Sequence, residues 1–143
     1  MAAADRRILV LALALGSAAL GPAARASDLQ ALQGAWTTDA AACATTFTST
    51  RGAPAFRPDA DLFASAFIVS GQRIRTPLAS CRIRSTRQEG DWLDLRLACE
   101  NKVSTGAVQA RFTVIENGLV VRRMGAPAPG AVPRGTAFVR CSG

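Results

Sequence analysis

The chain has 143 residues, of which 49% are hydrophobic and 19% are charged, and its formal net charge is +7. That length suits one domain, because two halves would each be too small to close a hydrophobic core. The sequence contains no histidine, which excludes a Ser-His-Asp triad, a Cys-His nucleophile pair and an imidazole metal site.

The N-terminal segment has the pattern of a secretory signal peptide. Two arginines supply the positive start, an apolar stretch covers residues 8–20, and residues 24–26 are Ala-Arg-Ala, which suits signal peptidase. The apolar stretch is shorter than the roughly 20 residues that a membrane-spanning helix needs. We therefore expect cleavage after residues 1–26, which leaves one periplasmic or secreted domain, 27–143, without a transmembrane anchor.

The first predicted strand begins with a Gly-Ala-Trp run from Gly34 to Trp36. Asp28 is placed to cap a helical turn before this strand, and Asp39 to cap a second turn after it. A tryptophan at the start of a barrel usually plugs one end, and glycine lets the backbone pass close to the indole ring. We therefore expect Gly34 and Trp36 to be structural core residues.

From residue 65 onward, period-two alternation between turn signals predicts a meander of β-hairpins. The first hairpin joins residues 65–70 to residues 73–75 through Gly71-Gln72. A leading glycine favours a type II′ turn, and this register pairs Val69 with Ile74.

The second predicted hairpin joins residues 79–87 to residues 92–99 through a three-residue loop, 89–91. In this register Cys81 faces Cys99, Ile83 faces Leu97, Arg84 faces Arg96 and Ser85 faces Leu95. One face of the strand pair is therefore apolar and carries both cysteines, while the other face carries arginines.

A third hairpin and a last strand complete the predicted meander. Residues 107–115 alternate apolar and polar side chains, Asn117-Gly118 is a strong hairpin signal, and residues 119–123 return. Residues 125–135 are rich in proline and are expected to form an irregular loop before the last strand, 136–141.

Helix is scarce after the signal segment. Residues 51–61 are expected to form a loop that ends in a short helix capped by Asp59. The predicted fold is all-β: a small antiparallel meander of about seven or eight strands, closed or nearly closed into a barrel after the N-terminal signal helix. Closure would remove the exposed strand edges that promote aggregation.

Four cysteines, Cys43, Cys81, Cys99 and Cys141, follow the predicted signal peptide. An even number in a small exported domain indicates disulfides, of which three pairings are possible. The absence of close ligand pairs such as Cys-x2-Cys disfavours zinc, so we expect no metal and no other cofactor. The strand register favours Cys81–Cys99, and barrel closure favours Cys43–Cys141.

The Gly-x-Trp start followed by a meander resembles the lipocalin-like barrels. Among exported bacterial proteins it is most similar to the small periplasmic metalloprotease-inhibitor family, whose barrel begins with this motif and soon reaches a cysteine, as Cys43 does here. The resemblance implies a periplasmic inhibitor whose mature N-terminus enters the cleft of a protease. Carried over by position, that arm consists of Ser27, Asp28 and Leu29.

A cluster of arginines is the most distinctive feature of the predicted outer surface. The predicted registers place five of them on the outward face of neighbouring strands: Arg73, Arg75, Arg82, Arg84 and Arg96. Directly opposed like charges destabilise a strand pair by about 0.2–1 kcal/mol. Either Asp94 on the same face offsets them, leaving a solvated surface, or an external anion does, such as a carboxylate-rich partner or an envelope phosphate. Nucleic acid is not expected, because no aromatic stripe accompanies the charges.

The acidic residues form no catalytic pattern. Asp59 and Asp61 lie in a loop, and Glu89, Asp91 and Asp94 cluster near a turn. Catalytic carboxylate pairs need a cleft that sets their two pKa values apart, and the serines lack a Gly-x-Ser-x-Gly context. We therefore expect no catalytic residues and no enzymatic activity.

These observations predict a non-catalytic, exported binding protein. The leading hypothesis is recognition of another exported protein through rim loops and the N-terminal arm, including inhibition of a secreted protease or other hydrolase. A lipocalin-like carrier of small ligands is the second hypothesis, and a sizeable apolar pocket inside the barrel would place it first. The third is a basic module that binds anionic envelope components through the arginine face.

Overall fold

The structure is a computed structural model that describes residues 29–114, 120–124 and 135–142. The predicted signal segment 1–26, the Asn117-Gly118 turn and most of the predicted loop 125–135 lie outside the described residues. After a helical turn at residues 29–31, the described elements are β1 (Gly34–Thr37), a 3-10 helix (Ala40–Ala42), α1 (Cys43–Thr46), β2 (Phe47–Thr50), β3 (Ala53–Phe56), β4 (Ala66–Ser70), β5 (Arg73–Arg75), β6 (Ser80–Glu89), β7 (Trp92–Glu100), β8 (Thr105–Val114), β9 (Val120–Met124) and β10 (Thr136–Cys141).

Eight strands close into an antiparallel barrel. Their hydrogen-bonded order is β1-β10-β9-β8-β7-β6-β5-β4, and β4 pairs with β1 again. Consecutive strands of the meander are therefore neighbours, and β1 pairs with β10 at the seam. Val69 lies opposite Ile74 in the first hairpin, as predicted. The all-β meander and its closure are both confirmed.

Alternate side chains point inward and pack as an aromatic cluster. The ring centroids of Trp36 and Phe67 are 6.3 Å apart in a stacked arrangement. Phe67 also meets Phe112 and Phe138 edge to face at 5.9 and 4.9 Å. Such aromatic pairs contribute about 0.5–1.5 kcal/mol beyond their area burial. All four rings are buried, so this cluster forms the centre of the barrel core.

A second, smaller core lies outside the barrel wall, beneath the β2–β3 hairpin. Phe47 and Phe56 pack together with ring centroids 5.3 Å apart. They cover Ala35 and Ile68, which point outward from β1 and β4. The hairpin therefore buries apolar residues that the barrel interior cannot reach.

The prediction of a loop over residues 51–61 is wrong for the first half of that segment, because Ala53–Phe56 forms β3. The turn at residues 51–52 has positive φ at both positions, 54° and 78°, which suits a two-residue type I′ hairpin. Pro54 cannot donate to a strand ladder, so its presence concealed β3 in the sequence.

The β6–β7 hairpin keeps its predicted register only near the disulfide. Cys81 lies opposite Cys99 and Ile83 opposite Leu97, as predicted. Beyond Ile83 the pairing shifts by one residue at a β-bulge in β6. The apolar face near the cysteines is thus preserved, while the pairing beyond the bulge differs.

The bulge corrects two predicted pairs. Ser85 rather than Arg84 lies opposite Arg96, so Leu95 does not face Ser85, and Arg84 is the extra residue of the bulge. The turn has two residues, 90–91, instead of three. A short turn with one bulge and a longer turn without one give the same register at the cysteines, so the local alternation does not distinguish them.

Both disulfides form in the favoured pairing. Cys81–Cys99 joins β6 to β7, and Cys43–Cys141 joins α1 to the end of β10. The second bond links cysteines 98 positions apart and fastens the outer helix close to the barrel seam. Two disulfides are typical of a protein from an oxidising compartment.

Candidate functional site

Trp36 closes one end of the barrel, as predicted. Its indole is fully buried, and Nε1 donates a hydrogen bond of 2.8 Å to the Leu32 carbonyl oxygen. Leu32 is itself buried in the interior core, so the segment 29–33 lies against this end of the barrel. The N–H of a buried tryptophan usually needs a hydrogen-bond acceptor, and the Leu32 carbonyl oxygen supplies it.

Arg140 lies across the outside of this plug. Its guanidinium carbon is 4.4 Å from the centroid of the Trp36 ring, and its nitrogens donate to the carbonyl oxygens of Ala31 and Gln33. A cation above an indole face is attracted by the ring quadrupole. Arg140 shares the inward face of β10 with Phe138, and this charge within an apolar alternation is the signal that could have identified it.

Gly34 leaves room for that guanidinium. Its φ of 121° lies in the region that favours glycine. A Cβ at this position would lie 3.0 Å from Nη1 of Arg140. The glycine of the Gly-x-Trp run therefore accommodates the cation that covers Trp36.

The opposite end of the barrel is open and contains a cavity of about 350 Å³. That volume lies at the lower end of the range of about 300–1,000 Å³ that is usual for small-molecule sites. Its deep wall consists of inward side chains from β4 to β8: Phe67, Ile74, Cys81, Leu97, Cys99, Val108, Ala110 and Phe112. These side chains are uncharged and mostly apolar, so the cavity suits an apolar molecule.

Two loops with polar side chains line the mouth of the cavity. Asn101 Oδ1 accepts the backbone N–H groups of Val103 and Ser104 at 2.9 and 2.8 Å. Thr76 Oγ1 accepts the N–H of Ala79 at 3.0 Å. Such bonds specify loop shape locally, so the mouth is formed without a ligand.

Exposed apolar side chains lie on three loops at the same end of the barrel as the mouth. Phe63 is 83% exposed, Val103 is 90% exposed, and Leu62 and Leu78 are more than half exposed. The strand directions bring their loops to this end of the barrel, at residues 61–65, 76–79 and 101–104. Exposed apolar side chains therefore lie at the same end of the barrel as the apolar cavity.

The five candidate arginines divide into two groups. Arg75 is half-buried and donates to the Pro54 carbonyl oxygen of β3 at 3.4 Å, so it helps to hold the outer hairpin. The other four are exposed on the outer wall: Arg73, Arg82, Arg84 and Arg96. Arg73 lies directly opposite Arg82 across the β5–β6 pair, which places two like charges side by side.

Asp94 does not neutralise these arginines. Its Oδ1 accepts a bond from Nε of Arg111, and Arg111 also donates to Glu89 Oε2 at 2.6 Å. The guanidinium of Arg111 lies 5.9 Å from the ring centroid of Trp92. Among the residues that the structure describes, the four exposed arginines make no ion pair. The predicted counter-ion is therefore engaged elsewhere.

The predicted N-terminal arm is only partly described. Leu29 is half-buried, packs against the interior core, and its carbonyl oxygen accepts a bond of 3.2 Å from Gln33 Nε2. Leu29 thus belongs to the closed end of the barrel instead of a free arm. Ser27 and Asp28 lie outside the described residues.

The acidic residues of the predicted 51–61 loop have structural contacts. Asp59 accepts a bond of 3.2 Å from Arg57 Nε instead of capping a helix, and Asp61 Oδ1 accepts the Phe63 N–H at 2.9 Å. Over residues 29–114, 120–124 and 135–142, no three potential metal ligands group together. In the same ranges no helix has the length and apolar character needed to span a bilayer.

No protein-family profile, curated protein or solved structure matches this chain. Its own geometry therefore has to indicate its function. That geometry is a disulfide-bonded, eight-stranded antiparallel barrel, plugged at one end by Trp36 and open at the other.

Proposed function

We propose that this protein is an exported, non-catalytic binding protein that holds a small apolar molecule in the open end of its barrel. The observation that carries the proposal is the cavity of about 350 Å³ with its uncharged deep wall. Burial of apolar surface contributes about 25 cal/mol per Å². A ligand whose apolar surface is enclosed by the cavity therefore gains the most binding free energy. This observation ranks ligand carriage above protein recognition.

A disulfide and an aromatic pair hold the cavity wall in place, which supports binding without a large ordering cost. The Cys81–Cys99 bond ties β6 to β7 within the wall. Phe67 and Phe112 close the floor with their rings edge to face. A preformed site loses less conformational entropy when a ligand binds.

The distribution of polar groups favours one orientation of the ligand. The deep wall is uncharged, while Thr76, Asn101 and Ser104 lie at the mouth beside exposed Glu100. We propose a ligand with an apolar body and a neutral polar end that faces the mouth, because a buried charge without a partner is costly. The predicted signal segment and the two disulfides support a periplasmic or secreted location.

Titration with the neutral fluorescent probe N-phenyl-1-naphthylamine tests this proposal. We expect saturable, blue-shifted fluorescence with one site per chain. Val108→Phe fills the cavity wall and should weaken the affinity by at least about tenfold. Val114→Phe is the matched control, since Val114 shares the strand but does not line the cavity and is 44% exposed.

Near-ultraviolet circular dichroism establishes that both variants are folded before they are compared. Equal losses of probe affinity in Val108→Phe and Val114→Phe would contradict a site inside the open end. A wild-type protein that gives no saturable fluorescence would contradict the proposal outright.

The apolar rim favours a second candidate function, recognition of another exported protein. Phe63 and Val103 are 83% and 90% exposed on two loops at the open end of the barrel, and the resemblance to metalloprotease inhibitors implies a secreted protease as the partner. If this function holds, residues 27–143 should inhibit a secreted bacterial metalloprotease, and Phe63→Ser should abolish inhibition while Val108→Phe retains it. If the protein binds the probe but does not inhibit the protease, the result favours small-ligand binding over protease inhibition.

A further inference from the structure

A groove of about 500 Å³ runs along the outer wall of the barrel. It shares Glu100 and Thr105 with the lining of the cavity near the mouth. Three arginines line it, from β5 and β6: Arg73, Arg82 and Arg84. Apart from Glu100, the other lining residues have short side chains, so the groove is open between the long arginine side chains: Ser80, Ala98, Cys99, Thr105, Gly106 and Ala107.

The positive charge of the groove has almost no internal compensation. Arg73 and Arg82 are direct cross-strand neighbours, an arrangement that destabilises a strand pair in the absence of a counter-ion. Arg73 donates to Ser80 Oγ at 3.3 Å, which is a neutral partner. Within the described part of the chain, none of the three arginines of the groove forms an ion pair.

Glu100 is the acidic residue of the groove, and it lies near the open end of the barrel. It is exposed and forms no ion pair with any described residue. Its charge opposes the binding of an anion at its end of the groove. Removal of that charge should therefore strengthen anion binding, a direction that unspecific packing effects would not produce.

We propose that this groove binds a phosphate-bearing ligand through Arg73, Arg82 and Arg84. Each guanidinium presents a planar fork of donors that matches the oxygens of phosphate. A phosphomonoester carries up to two negative charges and three acceptor oxygens, so it can bind more of the arginines that line the groove than a single carboxylate can. Residues 27–143 carry 14 basic and 9 acidic side chains, and this net charge of +5 adds long-range attraction.

Titration of the nitrogen-labelled, disulfide-bonded protein with inorganic pyrophosphate, followed by two-dimensional NMR, tests this site. We expect saturable shifts of the amides of β5 and β6 that line the groove. The double variant Arg73→Gln/Arg82→Gln should lose at least about tenfold in affinity, since charge-assisted bonds to phosphate are strong. Glu100→Gln should bind more tightly than the wild type.

Arg87→Gln is the matched control, because Arg87 is exposed on the same strand but lies outside the groove. It removes one positive charge and should change the affinity by less than about twofold. Equal losses in Arg87→Gln and in the double variant would overturn the proposal, as would a titration that does not saturate.

Sedimentation with lipid vesicles distinguishes two sources of the phosphate. The vesicles are phosphatidylcholine with phosphatidic acid, whose headgroup is a phosphomonoester, and pure phosphatidylcholine is the blank. Binding that is lost in the double variant identifies a lipid headgroup, and pyrophosphate binding without sedimentation identifies a soluble phosphate compound. If neither probe binds, the groove is not a phosphate site. The cavity ligand and its naphthylamine test do not depend on this outcome.

Discussion

Replacement of Cys43 and Cys141 by serine is expected to lower the free energy of unfolding by about 4.7 kcal/mol, the chain-entropy value for a loop of that length. The bond links residues 98 positions apart, so its loss greatly enlarges the unfolded ensemble. Cys141 also packs against the outer core beside the barrel seam. Guanidinium unfolding followed by circular dichroism measures the change.

The other disulfide supplies the matched comparison. Cys81 and Cys99 are 18 positions apart, and their replacement by serine is expected to cost about 3 kcal/mol. A larger loss from this pair than from the long-range pair would contradict the view that Cys43–Cys141 stabilises the closed barrel. Mass spectrometry under non-reducing conditions confirms that the remaining bond has formed in each variant.

Trp36→Leu is expected to destabilise the protein by about 3 kcal/mol, the lower end of the range for truncation of a buried tryptophan to alanine, because leucine keeps part of the apolar volume. It removes the stacking with Phe67, the bond to the Leu32 carbonyl oxygen and the ring beneath Arg140. Trp92→Leu is the control, since that side chain is only half-buried, and it should cost much less. Urea unfolding measures both changes.

A double-mutant cycle measures the interaction energy between the Arg140 guanidinium and the Trp36 ring. Arg140→Met keeps much of the side-chain length and removes the charge, and its coupling to Trp36→Leu should be about 0.5–2 kcal/mol. Additive effects of the two substitutions would show that the guanidinium contributes through its bonds to Ala31 and Gln33 alone.

The barrel and its disulfides were predictable because they follow from local alternation and turn chemistry. Period-two alternation specifies which face of each strand is buried, and Asn-Gly or leading-glycine turns specify which strands pair. With Cys81 and Cys99 on one apolar face, the register near Ile83 was determined. Closure then followed, because an open meander would expose two edges.

The features that were missed depend on contacts between residues distant in sequence. Arg140 bonds residues more than one hundred positions away, and β3 exists because Phe56 packs on Phe47 and the outside of the barrel. The packing of β3 leaves no periodic pattern, and the inward position of Arg140 in β10 marks the residue without showing its partners. The bulge after Ile83 was missed because two turn lengths give the same register at the disulfide.

The outer arginines could be predicted from the sequence, whereas the cavity could not. The arginines were placed on the outer face by alternation alone, but the engagement of Asp94 by Arg111 depends on β8. The cavity was not predictable, since it depends on how far Val108, Ala110 and Leu97 fill the open end after closure. Side-chain volumes decide that outcome, and a pattern of apolar residues does not contain it.

The central claim is that the cavity at the open end of the barrel binds an apolar molecule. Intermolecular nuclear Overhauser effects in the N-phenyl-1-naphthylamine complex test it most directly. The account predicts contacts from the probe to the methyl groups of Leu97, Val108 and Ala110, which line the cavity. Contacts confined to the rim side chains Phe63 and Leu78, or to the outer wall, would contradict it.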